Sequence, residues 1–514
     1  MKNLSKSLLL GSLALSACTV GPDYAPPETA LPPAFSGPVD SSPSGEPVDL
    51  AAWWKAYDDP QLSALIDRAL ADSPDIAIAL SRVRQARLQE VAARTRGLPS
   101  LSAQAGVSHV ELSKNAGLAN LARAFSGGGG GGDGTTGGGS VAPNGLALPG
   151  TGITTYSAGF DAGWELDLFG GARRGVEGAQ ARSEAMIWNA RDAAVMLAGE
   201  VAQAYFALRF DAQQLAVIDA EIAAQQRIVA IAGHNADVGL SPRIDAINAR
   251  SALNAAQARM EPIRADMVVR RHAIAILLGQ QPSALDEQLQ SFAAPLVAAP
   301  VVPPGLPSDL LRRRPDIRAA ERNLAASSAD IGVAVADLYP KFNLTGMAQL
   351  ISTALTSLIS GDSLQLTGSA LGQFPIFDFG RSKAAIGQRE AARDEAYLQY
   401  RKTVLGALRD VEDPLAQIDG ERRRNGALAQ AVADAAANAK AMQARYATGF
   451  VAENEALRAQ AMLLAAQEQL AASDAQLRQY SITLFKALGG GWEGMASLPD
   501  QTMQEQGASA QTGS

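Results

Sequence analysis

The chain contains two copies of one unit, and this duplication limits its fold more than any other feature. Ser73-Pro74-Asp75-Ile76 recurs as Arg314-Pro315-Asp316-Ile317, and Leu98-Pro99 as Tyr339-Pro340, both 241 residues later. Further along, Phe169-Gly170 recurs as Phe379-Gly380, Gly239 as Gly449, Ala255-Ala256-Gln257 as Ala465-Ala466-Gln467, and Leu278-Gly279 as Leu488-Gly489, each 210 residues later. Two constant offsets on either side of one step mark a tandem duplication with one length difference. The first copy carries the extra 31 residues, the difference between those offsets, between Pro99 and Phe169. That interval includes Gly127–Gly139, almost all glycine, which offers nothing to pack and is expected to be a flexible loop.

Each copy reads as helix, strand, loop, strand, long helix, turn, long helix. The strand signal is strongest at 153–169. There Tyr156, Ala158, Phe160, Ala162, Trp164, Leu166 and Leu168 alternate with Ser157, Gly159, Asp161, Gly163, Glu165 and Asp167. In the second copy, segments 341–351 and 363–377 alternate in the same way. A fourth segment, 100–112, is poorer and shifts phase near His109. Strands of this length suit a tilted bilayer crossing of about 9–11 residues, with the apolar face to lipid and the polar face to a wet lumen. A soluble half-buried sheet would give the same alternation. Four strands cannot close a barrel, because the smallest need about eight, and open sheet edges are not tolerated in lipid. A four-stranded membrane chain must therefore assemble with copies of itself. Three copies give twelve strands and room for a passage.

The helices are long. No proline interrupts 151–241 or 415–498. Leu463, Leu470, Leu477 and Leu484 recur every seven residues, and the second offset maps them onto Leu253, Met260, Met267 and Ile274. A sustained heptad is a coiled-coil seam. Aromatics are only 5% of the chain, and a core rich in alanine and leucine suits close helix packing. Pro414 stands where the first copy has Ala204, and a bend is expected there.

At the N-terminus, Lys2 and Lys6 precede the apolar run Leu8–Ala14 and then Leu15-Ser16-Ala17-Cys18. This reads as a secretory signal over 1–17, too short to span a bilayer. Cys18 is the single cysteine, so no intramolecular disulfide can form, and its position resembles the bacterial lipobox, which acylates that cysteine. Thr19, rather than aspartate, follows it, which favours the outer membrane. Beyond residue 17 no apolar run is long enough for a transmembrane helix, so a membrane crossing must use strands. The formal charge of −8 argues against a nucleic-acid partner.

These features together resemble the TolC-like outer-membrane factors, specifically the NodT-type lipoprotein channels of RND efflux pumps. The residues that carry the resemblance are Cys18 and its Pro-rich sequel, Trp53-Trp54 with Asp59-Pro60 and Leu62, and Ser73-Pro74-Asp75. To these are added Arg313-Arg314-Pro315-Asp316-Ile317, Tyr339-Pro340, Phe377-Asp378-Phe379-Gly380-Arg381, and Arg445-Tyr446 with Gly449. The resemblance implies a mainly α-helical fold, with a long coiled-coil α-barrel below a twelve-stranded membrane β-barrel in a homotrimer. It also implies a periplasmic adaptor, an inner-membrane RND-type pump, and export of small molecules across the outer membrane. The expected organisation is a signal peptide (1–17), a lipid-anchored Pro-rich segment (18–58), two structural repeats (59–290 and 291–490) and a disordered tail (491–514).

Three sets of site residues follow. Cys18 is expected to carry a covalent lipid, with no other cofactor. The helix–helix turns, with Gly239, Leu240 and Ser241 in one and Gly449 and Phe450 in the other, are expected to dock the adaptor, since an apolar residue follows each turn glycine. Asp245, Glu453 and Glu455 are expected at a gate. In TolC-like channels the second-copy helix pair lines an acidic constriction; Glu455 matches one such position, while Arg458 replaces the other. A solvated helix N-terminus would also favour acids there. The three histidines, His109, His234 and His272, have no metal-ligand or triad spacing, and no phosphate-binding loop is present, so an enzyme is not expected. A duct for type I protein secretion and a coiled-coil envelope brace remain as alternative readings. A brace, however, would need no amphipathic strands.

Overall fold

A computed structural model describes residues 19–36, 48–111, 152–292, 296–302, 305 and 307–493. The signal segment, Cys18, the Gly127–Gly139 tract and residues 494–514 lie outside the described residues. In chain order the principal elements are a 3-10 helix (Leu50–Tyr57), α1 (Pro60–Asp72), α2 (Pro74–Thr95), β1 (Ser100–Glu111), β2 (Gly152–Leu166), α3 (Gly171–Asp237) and α4 (Arg243–Leu277). They continue with α5 (Pro307–Arg313), α6 (Pro315–Ala336), β3 (Lys341–Ser352), β4 (Leu364–Gln373), α7 (Arg381–Ala447) and α8 (Glu453–Ala487). The repeat is visible in the boundaries themselves. Helix α2 moved by the first offset is α6, and β1 is β3. Helices α3 and α4 moved by the second offset are α7 and α8. Helices α3 and α7 each have 67 residues, about 100 Å at 1.5 Å per residue.

The described chain forms two compact units. One contains the four strands, antiparallel in the order β1-β2-β3-β4. Its hairpins obey the duplication at the level of single residues. Leu101 lies opposite Ala162, and their repeat equivalents, Phe342 and Gly372, also lie opposite each other. No ladder contains a bulge. Thus β1 runs regularly through His109, which faces Thr154, and the phase shift read from the sequence changes side-chain polarity without changing the backbone. Strand β4 ends at Gln373, short of the expected 377, because Pro375 has no N–H to give a ladder. The residues that follow β2 close this unit. The Asp167 carboxylate accepts the backbone N–H groups of Ala172 and Arg173, capping α3, while Phe169 stacks on Tyr339 at 4.7 Å.

The second unit contains the helical core. Trp53, Trp54 and Tyr57 are fully enclosed, and Trp53 stacks on Phe485 at 5.0 Å. Gly490 is required here, because a Cβ would lie 2.5 Å from the Leu50 carbonyl oxygen. The first-copy heptad positions pack within the chain. Leu253 and Met260 of α4 lie against Ile218 and Ile222 of α3, and Met267 and Ile274 join the main core. Helix α7 continues through Pro414, which is buried. Gly491 and Trp492, placed in the tail by the sequence, are ordered parts of this unit. Gly491 lies against Trp53 and Trp54, and Trp492 meets Trp188 edge-on at 5.8 Å.

Candidate functional site

The sheet carries the clearest functional geometry. Directly opposed residues of an antiparallel pair point to the same face, so the ladders define two faces without ambiguity. One face carries Leu101 and Val107 from β1, Phe160 and Trp164 from β2, Phe342 and Leu344 from β3, and Leu364 and Leu366 from β4. The other carries Ser102 and Gln104, Asp161 and Glu165, Asn343 and Gln349, and Thr367 and Ser369. The apolar face is exposed over much of its area. Strands β1 and β4 each leave one edge unpaired among the described residues. A large exposed apolar face marks a lipid or protein contact, and in lipid the two edges need partners. No described helix is long and apolar enough to cross a membrane.

The two helix–helix turns are built alike. Gly239 and Gly449 adopt left-handed φ angles of 75° and 77°. In the first turn Leu240 N–H donates to the Asn235 carbonyl (2.7 Å) and Gly239 N–H to the Ala236 carbonyl (3.3 Å). In the second, Phe450 N–H donates to the Arg445 carbonyl (2.8 Å) and Gly449 N–H to the Tyr446 carbonyl (2.9 Å). This is a Schellman closure, which needs a residue free of Cβ strain at the glycine position. It normally buries an apolar contact. Here Leu240 and Phe450 are both 78% exposed, so each tip presents a large apolar side chain to its surroundings. Ser241 is half-buried beside Leu240.

The acidic residues lie just past these turns and differ in their surroundings. Glu455 is exposed and pairs at 3.2 Å with Arg458, one turn along α8. Glu453 accepts a hydrogen bond from the Tyr446 hydroxyl across the turn (3.1 Å), and this bond raises the phenol above the usual tyrosine range. Asp245, in the first turn of α4, is exposed. Among the described residues Glu453 has no ion-pair partner, whereas Arg458 offsets the charge of Glu455.

The residues 65–280 and 306–490 match the sequence profile of the outer membrane efflux protein family. The chain belongs to that family. This efflux protein is 29% identical to the pyoverdine export outer membrane protein OpmQ of Pseudomonas aeruginosa, over 96% of this chain and 98% of the relative. It is 27% identical to nodulation protein T of Rhizobium leguminosarum bv. trifolii, over 94% and 97% respectively. Among solved structures, the outer-membrane channel OprN superimposes with a TM-score of 0.77 at 28% identity, covering 93% of this chain and all of that one. The CmeC channel of Campylobacter jejuni shares the fold, with a TM-score of 0.81 at 20% identity over 95% and 98% of the two chains. The protein is thus an outer-membrane efflux component with the TolC-like architecture that its repeat and strands suggested.

The structure also explains the motifs that carried the resemblance. The Asp59 carboxylate caps α1 by accepting from the Gln61 and Leu62 N–H groups. Its other oxygen receives the Tyr205 hydroxyl (2.8 Å) and Arg209 (2.6 Å) from α3, all within the efflux protein's helical core. Arg314 donates to the Ala487 carbonyl at the end of α8 (2.9 Å) and pairs with Asp316 and Asp410. Burial opposes its charge, but these carboxylates outweigh burial and hold it above the usual arginine range. Tyr205 and Arg209 were not singled out from the sequence. Their partner is about 150 residues away, and no local pattern connects them.

Proposed function

We propose that this chain forms one third of a trimeric outer-membrane duct, held by a lipid on Cys18 and coupled to a periplasmic adaptor and an inner-membrane RND-type pump. It supplies a passage for small molecules and no catalysis of its own. The observation that carries this reading is the four-stranded sheet, with one continuous apolar face and two unpaired edges. Three such sheets joined edge to edge make twelve strands with lipid outside and polar side chains inside. Lipidation is supported by the position of Val20, two residues after Cys18, whose N–H donates to the Phe169 carbonyl three residues past the end of β2 (3.1 Å). Docking is supported by the exposed Leu240 and Phe450 on rigid Schellman turns. A gate at Glu453, Glu455 and Asp245 is supported by their position in the turn that follows each tip. Physically, three carboxylates around one axis favour cations and repel one another.

Reconstitution tests this reading. The purified protein should run as a trimer and give cation-selective channels in planar bilayers. Replacing both Gly239 and Gly449 with bulky residues should abolish export in cells while channels and trimers persist. A protein that forms no channel would refute the duct. Full export in the double variant would refute docking through the turns.

A further inference from the structure

We propose that a cavity between α7, α8 and the segment 296–302 binds a small amphiphile carrying one carboxylate, with Arg478 as the group that recognises its head. The cavity has a volume of about 510 Å³, within the range of small-molecule sites. Its walls come from Pro300 and Val302 on one side, Leu415 of α7 and Leu484 of α8 on the others. Arg478 lines it and is only 5% exposed. Its Nε–H donates to the Val297 carbonyl at 3.0 Å. No carboxylate of the described residues lies within ion-pair distance of its guanidinium, whose remaining N–H groups have no partner among them. One turn on, Ser481 is 2% exposed, and its hydroxyl lies near the equally buried Tyr57 hydroxyl without a well-formed hydrogen bond to it.

A buried guanidinium without a hydrogen-bonded carboxylate is an expensive arrangement, and the nearby Asp474 charge offsets its desolvation only in part. Burial pushes Arg478 below the usual arginine range. Neither acid that lines the same cavity forms an ion pair with Arg478, although the Asp474 charge favours the guanidinium. Asp474 receives the Asn425 amide at 2.7 Å, and Asp419 pairs with Arg423 at 2.7 Å. A ligand carboxylate would accept from the free guanidinium N–H groups and from the Ser481 hydroxyl, completing both. The apolar walls would take a short hydrocarbon or ring. The duplication supplies an internal comparison. The positions 210 residues earlier are Val268 and Leu215 in place of Arg478 and Asn425, so the helical scaffold forms in the first copy without this polar set. The site is a feature of the second copy alone and does not depend on the duct reading.

Calorimetry on the full-length protein in nanodiscs would test the proposal, with octanoate as probe and octanol and octylamine as controls of equal chain length. Octanoate should bind saturably, at one site per chain, and the two controls should not. Arg478→Gln should weaken octanoate by about tenfold or more, the loss expected for one charge-assisted contact. Ser481→Ala, which removes only the hydroxyl, should weaken it less and keeps the test open if Arg478→Gln fails to fold. Laurate exceeding octanoate would assign the ligand to acyl-chain acids of the membrane, and benzoate exceeding octanoate to soluble aromatic acids. Equal binding of octanol, unchanged octanoate binding in both variants, or no octanoate binding at all would overturn the proposal.

Discussion

In the proposed trimer, the duplication fixes where neighbouring copies should join, to the residue. Within the chain, Phe160 of β2 lies opposite Ala348 of β3. Moving Phe160 forward by 210 gives Ala370 of β4, and moving Ala348 back by 241 gives Val107 of β1. The free edge of β4 should therefore pair with the free edge of β1 on the next copy, with Ala370 opposite Val107. The same mapping already holds for the two hairpins inside the chain, and it keeps the apolar face continuous around the ring. Opposed residues in an antiparallel ladder have Cα atoms about 4.5–5.5 Å apart, inside the disulfide window of about 4.4–6.8 Å. A slip of two residues moves them about 6.6 Å along the strand, at about 3.3 Å per residue, and raises the separation to about 8 Å. The double variant Val107→Cys with Ala370→Cys should thus oxidise to a covalent trimer on non-reducing gels of outer membranes. The slipped pair, Ala105→Cys with Ala370→Cys, should remain monomeric on the same gels. Stronger cross-linking in the slipped pair would refute the register, and no cross-linking in any pair along β4 and β1 would refute the edge-to-edge closure.

Further outcomes follow from the helical core and the tips. Asp59→Ala removes the carboxylate partner of buried Arg209 and uncaps α1; it should cost about 3–5 kcal/mol and lower the thermal midpoint by circular dichroism. Burial, with Asp316 nearby, raises the Asp192 carboxyl to about 6, against the opposing pull of Arg314 and Lys486. The folded state therefore holds this proton more tightly than the unfolded state, and the associated stability, complete below about pH 4, is lost as pH rises through about 6. Asp192→Asn should gain stability at pH 7, by at most about 3 kcal/mol, and lose that advantage in denaturant melts near pH 4. In single-channel recordings, Glu453→Gln should reduce cation selectivity more than Glu455→Gln, because Arg458 already offsets Glu455; the reverse order would contradict the electrostatics of the isolated turn.

Much of the fold was legible because the duplication is a long-range signal written in the sequence itself. Gly239 and Gly449, or Gly279 and Gly489, occupy matching left-handed conformations, and a matched glycine pair reports backbone geometry directly. The strands were legible because a two-residue period survives any register. Where hydropathy and backbone part company, the reading weakened. His109 broke the apolar pattern without breaking the ladder, since the ladder depends on main-chain groups alone. Pairings between distant side chains were not legible. Asp59 and Arg209, or Arg314 and Asp410, are brought together by helix packing, and neither pair has a local spacing to betray it.

The duplication also accounts for the proposed trimer. In that assembly, contacts between the copies inside one chain have counterparts to be made by a neighbour. Phe169 of the first copy stacks on Tyr339 of the second, while its equivalent, Phe379, is 91% exposed and the equivalent of Tyr339, Leu98, is also exposed. Applied once more, the same rule brings Phe379 onto Leu98 of the next chain. The in-chain junction is tied by a covalent segment and the junction between chains is not, so the latter has only packing and edge hydrogen bonds to hold it. Positions where the copies differ at equivalent sites, such as Val268 and Arg478 or Ala204 and Pro414, are therefore where the proposed trimer would depart from a uniform six-part ring. In that ring the elements would alternate, leaving the second helix pair free to acquire its own site while the first keeps the scaffold.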